Sequence, residues 1–96
     1  MILEHAALPV RPGEEEAFEK AFEEARGIIA AAKGCRSVRL SRCLERPSTY
    51  LLLVEWETLE DHVTGFRGSA DFARWRELLH HFYEPAPVVE HYTAVA

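Results

Sequence analysis

The chain has no asparagine, no glutamine and only two cysteines among its 96 residues. Depletion of thermolabile amides fits a heat-adapted source, and skewed codon usage produces the same composition. Any pocket in this protein must therefore work without a carboxamide side chain. Basic clusters are also missing: 11 Lys and Arg stand against 16 Asp and Glu, a net charge of −5, which argues against a nucleic-acid partner. No apolar run approaches the roughly 20 residues of a membrane span. The opening MILEHAALPV has neither a positive n-region nor a usable apolar core, so it does not read as a signal peptide. A cytoplasmic protein is expected, with no membrane partner. Cys35 and Cys43 fall in one expected strand, where about 3.3 Å per residue separates them by roughly 26 Å. A disulfide needs Cα atoms about 4.4–6.8 Å apart, so the thiols should be free, as suits a reducing compartment.

Cofactor signals are sparse. There is no P-loop, dinucleotide fingerprint or nucleophile motif. Glu77-x-x-His80 matches half of a di-iron carboxylate pattern, which needs a second such motif and further glutamates. The adjacent His80 and His81 point about 100° apart on a helix. No cofactor and no metal are expected.

What is present suits a single domain over residues 1–96, since the apolar fraction of 48% is too high for a disordered chain. Its centre is Tyr50–Phe82. Tyr50, Leu52, Val54 and Trp56 share one face of a strand, and Leu51 and Leu53 make the other face apolar as well, as in a strand covered on both sides. Thr58 can cap a short helix, with Asp61 three residues on. Leu59, His62, Val63 and Phe66 then recur at helical spacing. Gly68 ends that helix, and Ser69 can cap a second whose inner stripe is Phe72, Trp75, Leu79 and Phe82.

Around this centre lie three strands and a long helix. Met1–Val10 is the first strand, with Ile2, Ala6, Leu8 and Val10 on one face interrupted by Glu4. Glu14–Lys33 is an amphipathic helix with acids in its first turn, where the macrodipole favours them, and Lys33-Gly34 as its stop. Cys35–Glu45 is a second strand, with Val38, Leu40 and Leu44 on one face. Arg46-Pro47-Ser48-Thr49 turns it into the central strand. Val88–Val95 is the last, alternating Val89, His91, Thr93 and Val95 against Val88, Glu90, Tyr92 and Ala94. The order β-α-β-β-α-α-β predicts an α+β, ferredoxin-like protomer with a four-stranded antiparallel sheet and helices on one face. The uncovered apolar face should then meet a second copy, as a homodimer.

The run WETLEDHVTGFRGSADFARW, with His91-Tyr92 on the last strand, resembles the antibiotic biosynthesis monooxygenase family. The matching features are Trp56-Glu57 at a strand end, His62 on a helix, Ser69 with Phe72 at a helix start, and the C-terminal His-Tyr pair. The resemblance spans essentially the whole chain and implies a dimeric α+β barrel. It also implies a cofactor-independent monooxygenase acting on a small phenol, quinol or polyketide-like aromatic. The alternative on the same scaffold is a non-catalytic small-molecule-binding or regulatory protein. Characterised oxygenases and heme-degrading relatives use a pocket asparagine, which this chain lacks. The heme-degrading branch also needs an axial histidine near the position of Trp75, which argues against heme degradation.

His62 is the candidate general base, since an imidazole on an apolar stripe can accept a phenolic proton. A core histidine bonded to a backbone carbonyl explains the same pattern. Trp56, Phe66, Trp75, Phe82 and Tyr92 are candidates to line a pocket for a flat aromatic ligand, against ordinary core packing.

Overall fold

A computed structural model describes residues 1–96. Its elements run β1 (Ile2–Pro9), α1 (Glu15–Ala30), β2 (Cys35–Arg42), β3 (Thr49–Trp56), a π-helix (Asp61–Phe66), α2 (Ala70–Leu79), a 3-10 turn (His80–Phe82) and β4 (Val88–Thr93). The sheet order is β2-β3-β1-β4, and every neighbouring pair is antiparallel. This is the ferredoxin-like order expected from the sequence. No helix is long and apolar enough to cross a membrane.

Both helices pack on one face of the sheet. Their buried side chains, with Phe18, Phe22, Ile29, Trp75 and Leu79 foremost, meet Ala6, Leu8, Val38, Tyr50, Leu52, Val54 and Trp56 in one core. Burying a large apolar side chain contributes about 1.5–3 kcal/mol. Phe18 sits at an aromatic crossing, with Tyr50, Phe82 and Tyr83 at ring distances of 4.9, 5.7 and 5.9 Å. The opposite face carries no helix. There Leu3, His5, Leu51 and Leu53 are half-buried, and Ala7, Glu55 and Tyr92 are exposed.

Several local departures from the sequence reading have clear causes. The β2 strand stops at Arg42, so Leu44 falls in the following loop and is 90% exposed rather than facing the core. The β2 ladder carries an irregularity between Cys35 and Ser37, which lets Cys35 pair with Trp56 while Val38 still faces the helices. Both cysteines are free. Thr58 does accept the Asp61 amide at 3.1 Å, but the segment that follows winds as a π-helix, with the Arg67 amide reaching back to the His62 carbonyl at 3.1 Å. Ser69 caps α2 as expected, its hydroxyl accepting the Phe72 amide at 3.3 Å. Gly34, at φ +83°, joins α1 to β2, and a Cβ there would collide with the Asp61 carboxylate. That close approach holds the start of the π-helix against the end of β3, where the Glu57 amide donates to the Gly34 carbonyl at 2.8 Å.

Candidate active site

The interruption on the apolar face of β1 marks the site. Glu4 points among the helices and is only 4% exposed. A buried carboxylate needs partners, and Trp56 supplies one: its indole N–H donates to Glu4 Oε1 at 2.9 Å. His62, 3% exposed, stacks on Trp56 with centroids 5.1 Å apart and planes 14° apart. Its Nε2 lies 3.4 Å from the same Glu4 oxygen, and its Nδ1 lies 2.8 Å from His91 Nε2. Glu4 and His91 are directly opposed on β1 and β4, so the pleat places both beneath one helical imidazole.

The electrostatics are governed by burial. Desolvation raises the Glu4 carboxyl above its ordinary value, against the Trp56 bond and the Arg67 charge, which pull it down. Desolvation, helped by Arg67 and His91, drives His62 down to about 4. At 3.4 Å an ionised Glu4 favours an imidazolium, but loss of water from both groups outweighs that attraction. At neutral pH His62 is therefore a neutral imidazole. His91 is also lowered, by burial and then by Arg67.

A cavity of about 200 Å³ opens beside this cluster, lined by Glu4, His62 and Arg67 together with Phe66, Phe72, Trp75, Leu52, Ile29, His80 and Tyr83. Of the aromatic residues singled out from sequence, Phe66 and Trp75 line it. Trp56 stands one layer back and holds Glu4 and His62. Phe82 lies in the core against Phe18, because the 3-10 turn after α2 rotates it away. Tyr92 is on the other face of the sheet, 48% exposed and edge-on to His5 at 5.5 Å. Adjacent strand residues face opposite ways, so His91 and Tyr92 cannot share a site within one chain. Tyr92 instead borders a wider hollow of about 590 Å³ on the open face, with Leu3, His5 and Glu55; that hollow holds no buried acid–base pair.

Glu4, Arg67 and His91 are the site residues that sequence reasoning passed over. The signal for Glu4 was present, as the one charge on an otherwise apolar strand face. Glu77 and His80 are both exposed, and no three ligating side chains converge on a point. His62 offers opposite ring nitrogens to Glu4 and His91.

Fold and site together define a small α+β protein with a part-open, aromatic-lined cavity beside a buried Glu–His pair. The sequence profile of the antibiotic biosynthesis monooxygenases matches residues 1–78, and the chain belongs to that family. It is 52% identical over 95 residues to YczJ of Bacillus subtilis, an uncharacterised protein, covering 99% of this chain and all of that one. A Bordetella bronchiseptica crystal structure, described as a candidate antibiotic biosynthesis monooxygenase, superposes with a TM-score of 0.94 at 41% identity, covering 99% and 97% of the two chains. An alanine variant of SnoaB, a cofactor-independent oxygenase from Streptomyces nogalater, shares the fold, with a TM-score of 0.78 at 18% identity over 97% and 91%.

Proposed function

We propose that this protein is a cofactor-independent monooxygenase that oxidises a small phenol or quinol in the cavity beside His62. The observation that carries this reading is a buried Glu4–His62 pair opening onto an aromatic-lined cavity. His62, backed by Glu4, is the base. Removing the hydroxyl proton makes an electron-rich anion that reacts with dioxygen at a ring carbon. One oxygen atom stays on the ring and the other leaves as water, so a phenol plus O₂ gives a quinone plus water and the substrate supplies the electrons. Phe66, Phe72 and Trp75 hold the ring, and the Arg67 charge favours the anion. About 200 Å³ lies below the roughly 300–1,000 Å³ usual for ligand pockets. The favoured substrate therefore has one ring or two fused rings rather than a polyketide scaffold. The same small volume favours the second reading, a binding or regulatory protein without turnover.

Residues 1–96 act here as one domain, paired through the open sheet face with a second copy in a two-fold barrel. Leu51 and Leu53 there are apolar and only half-buried, and an exposed apolar sheet of this extent calls for a cover.

The test is oxygen uptake with a panel of one- and two-ring phenols and quinols, compared with the spontaneous rate and with His62→Ala. Uptake above background that falls by a factor of about 10²–10⁴ in the variant supports the reading. Absence of uptake across the panel, with a quinol nevertheless bound, transfers the assignment to the binding protein.

A further inference from the structure

An imidazole that receives a proton on one ring nitrogen can release another from the opposite nitrogen without ever holding a full charge. His62 is placed to do this. Its Nε2 lies on the Glu4 side, where both residues line the cavity, and its Nδ1 meets His91 Nε2 at 2.8 Å. His91 stands on β4, an edge strand of the sheet, and is half-exposed. The two rings thus span the distance from cavity to solvent.

We propose that His91 is the proton relay of the site: it takes from His62 Nδ1 the equivalent of the proton that His62 Nε2 receives from the substrate, and releases one to water. The proposal rests on the monooxygenase reading above. The substrate O–H bond breaks as Nε2–H forms on His62. The His62 Nδ1 proton passes to His91 Nε2, and the His91 Nδ1 proton passes to water. His62 ends neutral, in its other tautomer. Phenol plus O₂ to quinone plus water releases no net proton, so the transfer runs back when the O–O bond breaks and water departs. One outward and one inward passage return the pair to its starting state.

The surroundings explain why the proton is passed on rather than stored. A full imidazolium at His62 is opposed by burial and by Arg67, which hold its pKa near 4. The 2.8 Å contact with His91 Nε2 favours the resting tautomer with its proton on Nδ1, which leaves Nε2 free to accept. Glu4 faces Nε2 from β1 at 3.4 Å, wider than a formed hydrogen bond of about 2.7–3.2 Å, and stabilises the proton once it arrives there. Trp56 holds that carboxylate from β3. Cys35, at the start of β2, is pushed up by burial and then by Glu4, so it stays a thiol and does not compete for the proton.

Two variants and one spectrum test this. His91→Phe keeps the ring and removes both nitrogens; kcat should fall about 10- to 100-fold, on the scale of lost proton transfer, with KM little changed and a larger solvent deuterium isotope effect. In His91→Ala, added imidazole should restore kcat along a saturable curve. Wild-type kcat and isotope effect in His91→Phe overturn the relay. So does a folded His91→Ala whose loss imidazole does not relieve, since that assigns His91 a packing role. The spectrum needs no turnover: ¹⁵N-labelled protein should show scalar coupling between His62 Nδ1 and His91 Nε2 across the shared proton. Coupling in a protein that oxidises no substrate supports the shared proton and removes the monooxygenase reading. Its absence from the folded protein overturns the relay whatever the activity.

Discussion

Glu4 and His91 face each other across the β1–β4 ladder, and a single side chain from the helical layer, His62, reaches both. Glu4 takes the Nε2 side at 3.4 Å and His91 the Nδ1 side at 2.8 Å. The arrangement joins two strands and the helical layer through three titratable groups, which makes it sensitive to conservative substitution.

Replacement of Glu4 separates its charge from its shape. In Glu4→Gln the amide oxygen can still accept the Trp56 N–H, and removal of a buried charge offsets much of what is lost, so stability should change by less than about 1 kcal/mol. Glu4→Leu leaves the indole N–H without an acceptor and should cost about 1–3 kcal/mol. Urea denaturation of both variants checks this; equal midpoints would show that the Trp56 bond contributes nothing.

Stability should also report the buried imidazole. His62 is held near 4 against an ordinary 6.5, so between those values the unfolded chain binds a proton that the folded chain refuses. Stability therefore rises with pH through this window, by up to about 1.4 kcal/mol per pH unit, and the gain is complete above 6.5. His91, also lowered, acts in the same direction. Glu4 is raised and opposes them, its contribution falling as pH climbs through its folded value. Denaturation midpoints at pH 4.5 and 7 should thus differ more in Glu4→Gln than in the wild type. A flat profile in Glu4→Gln would mean that His62 titrates normally.

The path from sequence to site was uneven for physical reasons. The order of the elements and the Ser69 cap were legible because periodicity and capping are local. His62 was legible as a histidine on an apolar stripe. Its partners were not, because Glu4 and His91 are 87 positions apart in the chain and meet only through strand register. Tyr92 was a pocket candidate for its aromatic ring and hydroxyl, while the pleat sends it to the other face. Phe82 followed the helical stripe of α2 until the 3-10 turn broke that period.

The proposed dimer gives Tyr92, Leu51 and Leu53 a place in its interface. Light scattering at micromolar concentration should return the mass of two chains. Leu53→Glu, a charge in the middle of the open face, should return the mass of one while leaving the helix-side core folded. A monomeric wild type would show that the open face is tolerated by water.

The proposed chemistry also makes a statement about added groups. The purified protein should have no visible absorbance band, and a chelator followed by gel filtration should leave quinol turnover within about twofold of the untreated rate. A tenfold loss restored by one metal ion, a free-energy effect of about 1.4 kcal/mol, would redirect the mechanism to metal chemistry.

The π-helix Asp61–Phe66 fits one residue more into its turn than an α-helix would. Deletion of Thr64 would bring Phe66 to three residues from His62, a spacing that an ordinary α-helix keeps on one face. The wide turn is therefore not what aims both side chains at the sheet; the extra residue is taken up on the exposed side, at Thr64. A chain shorter by this one residue should keep both the scaffold and the inward placement of His62 and Phe66.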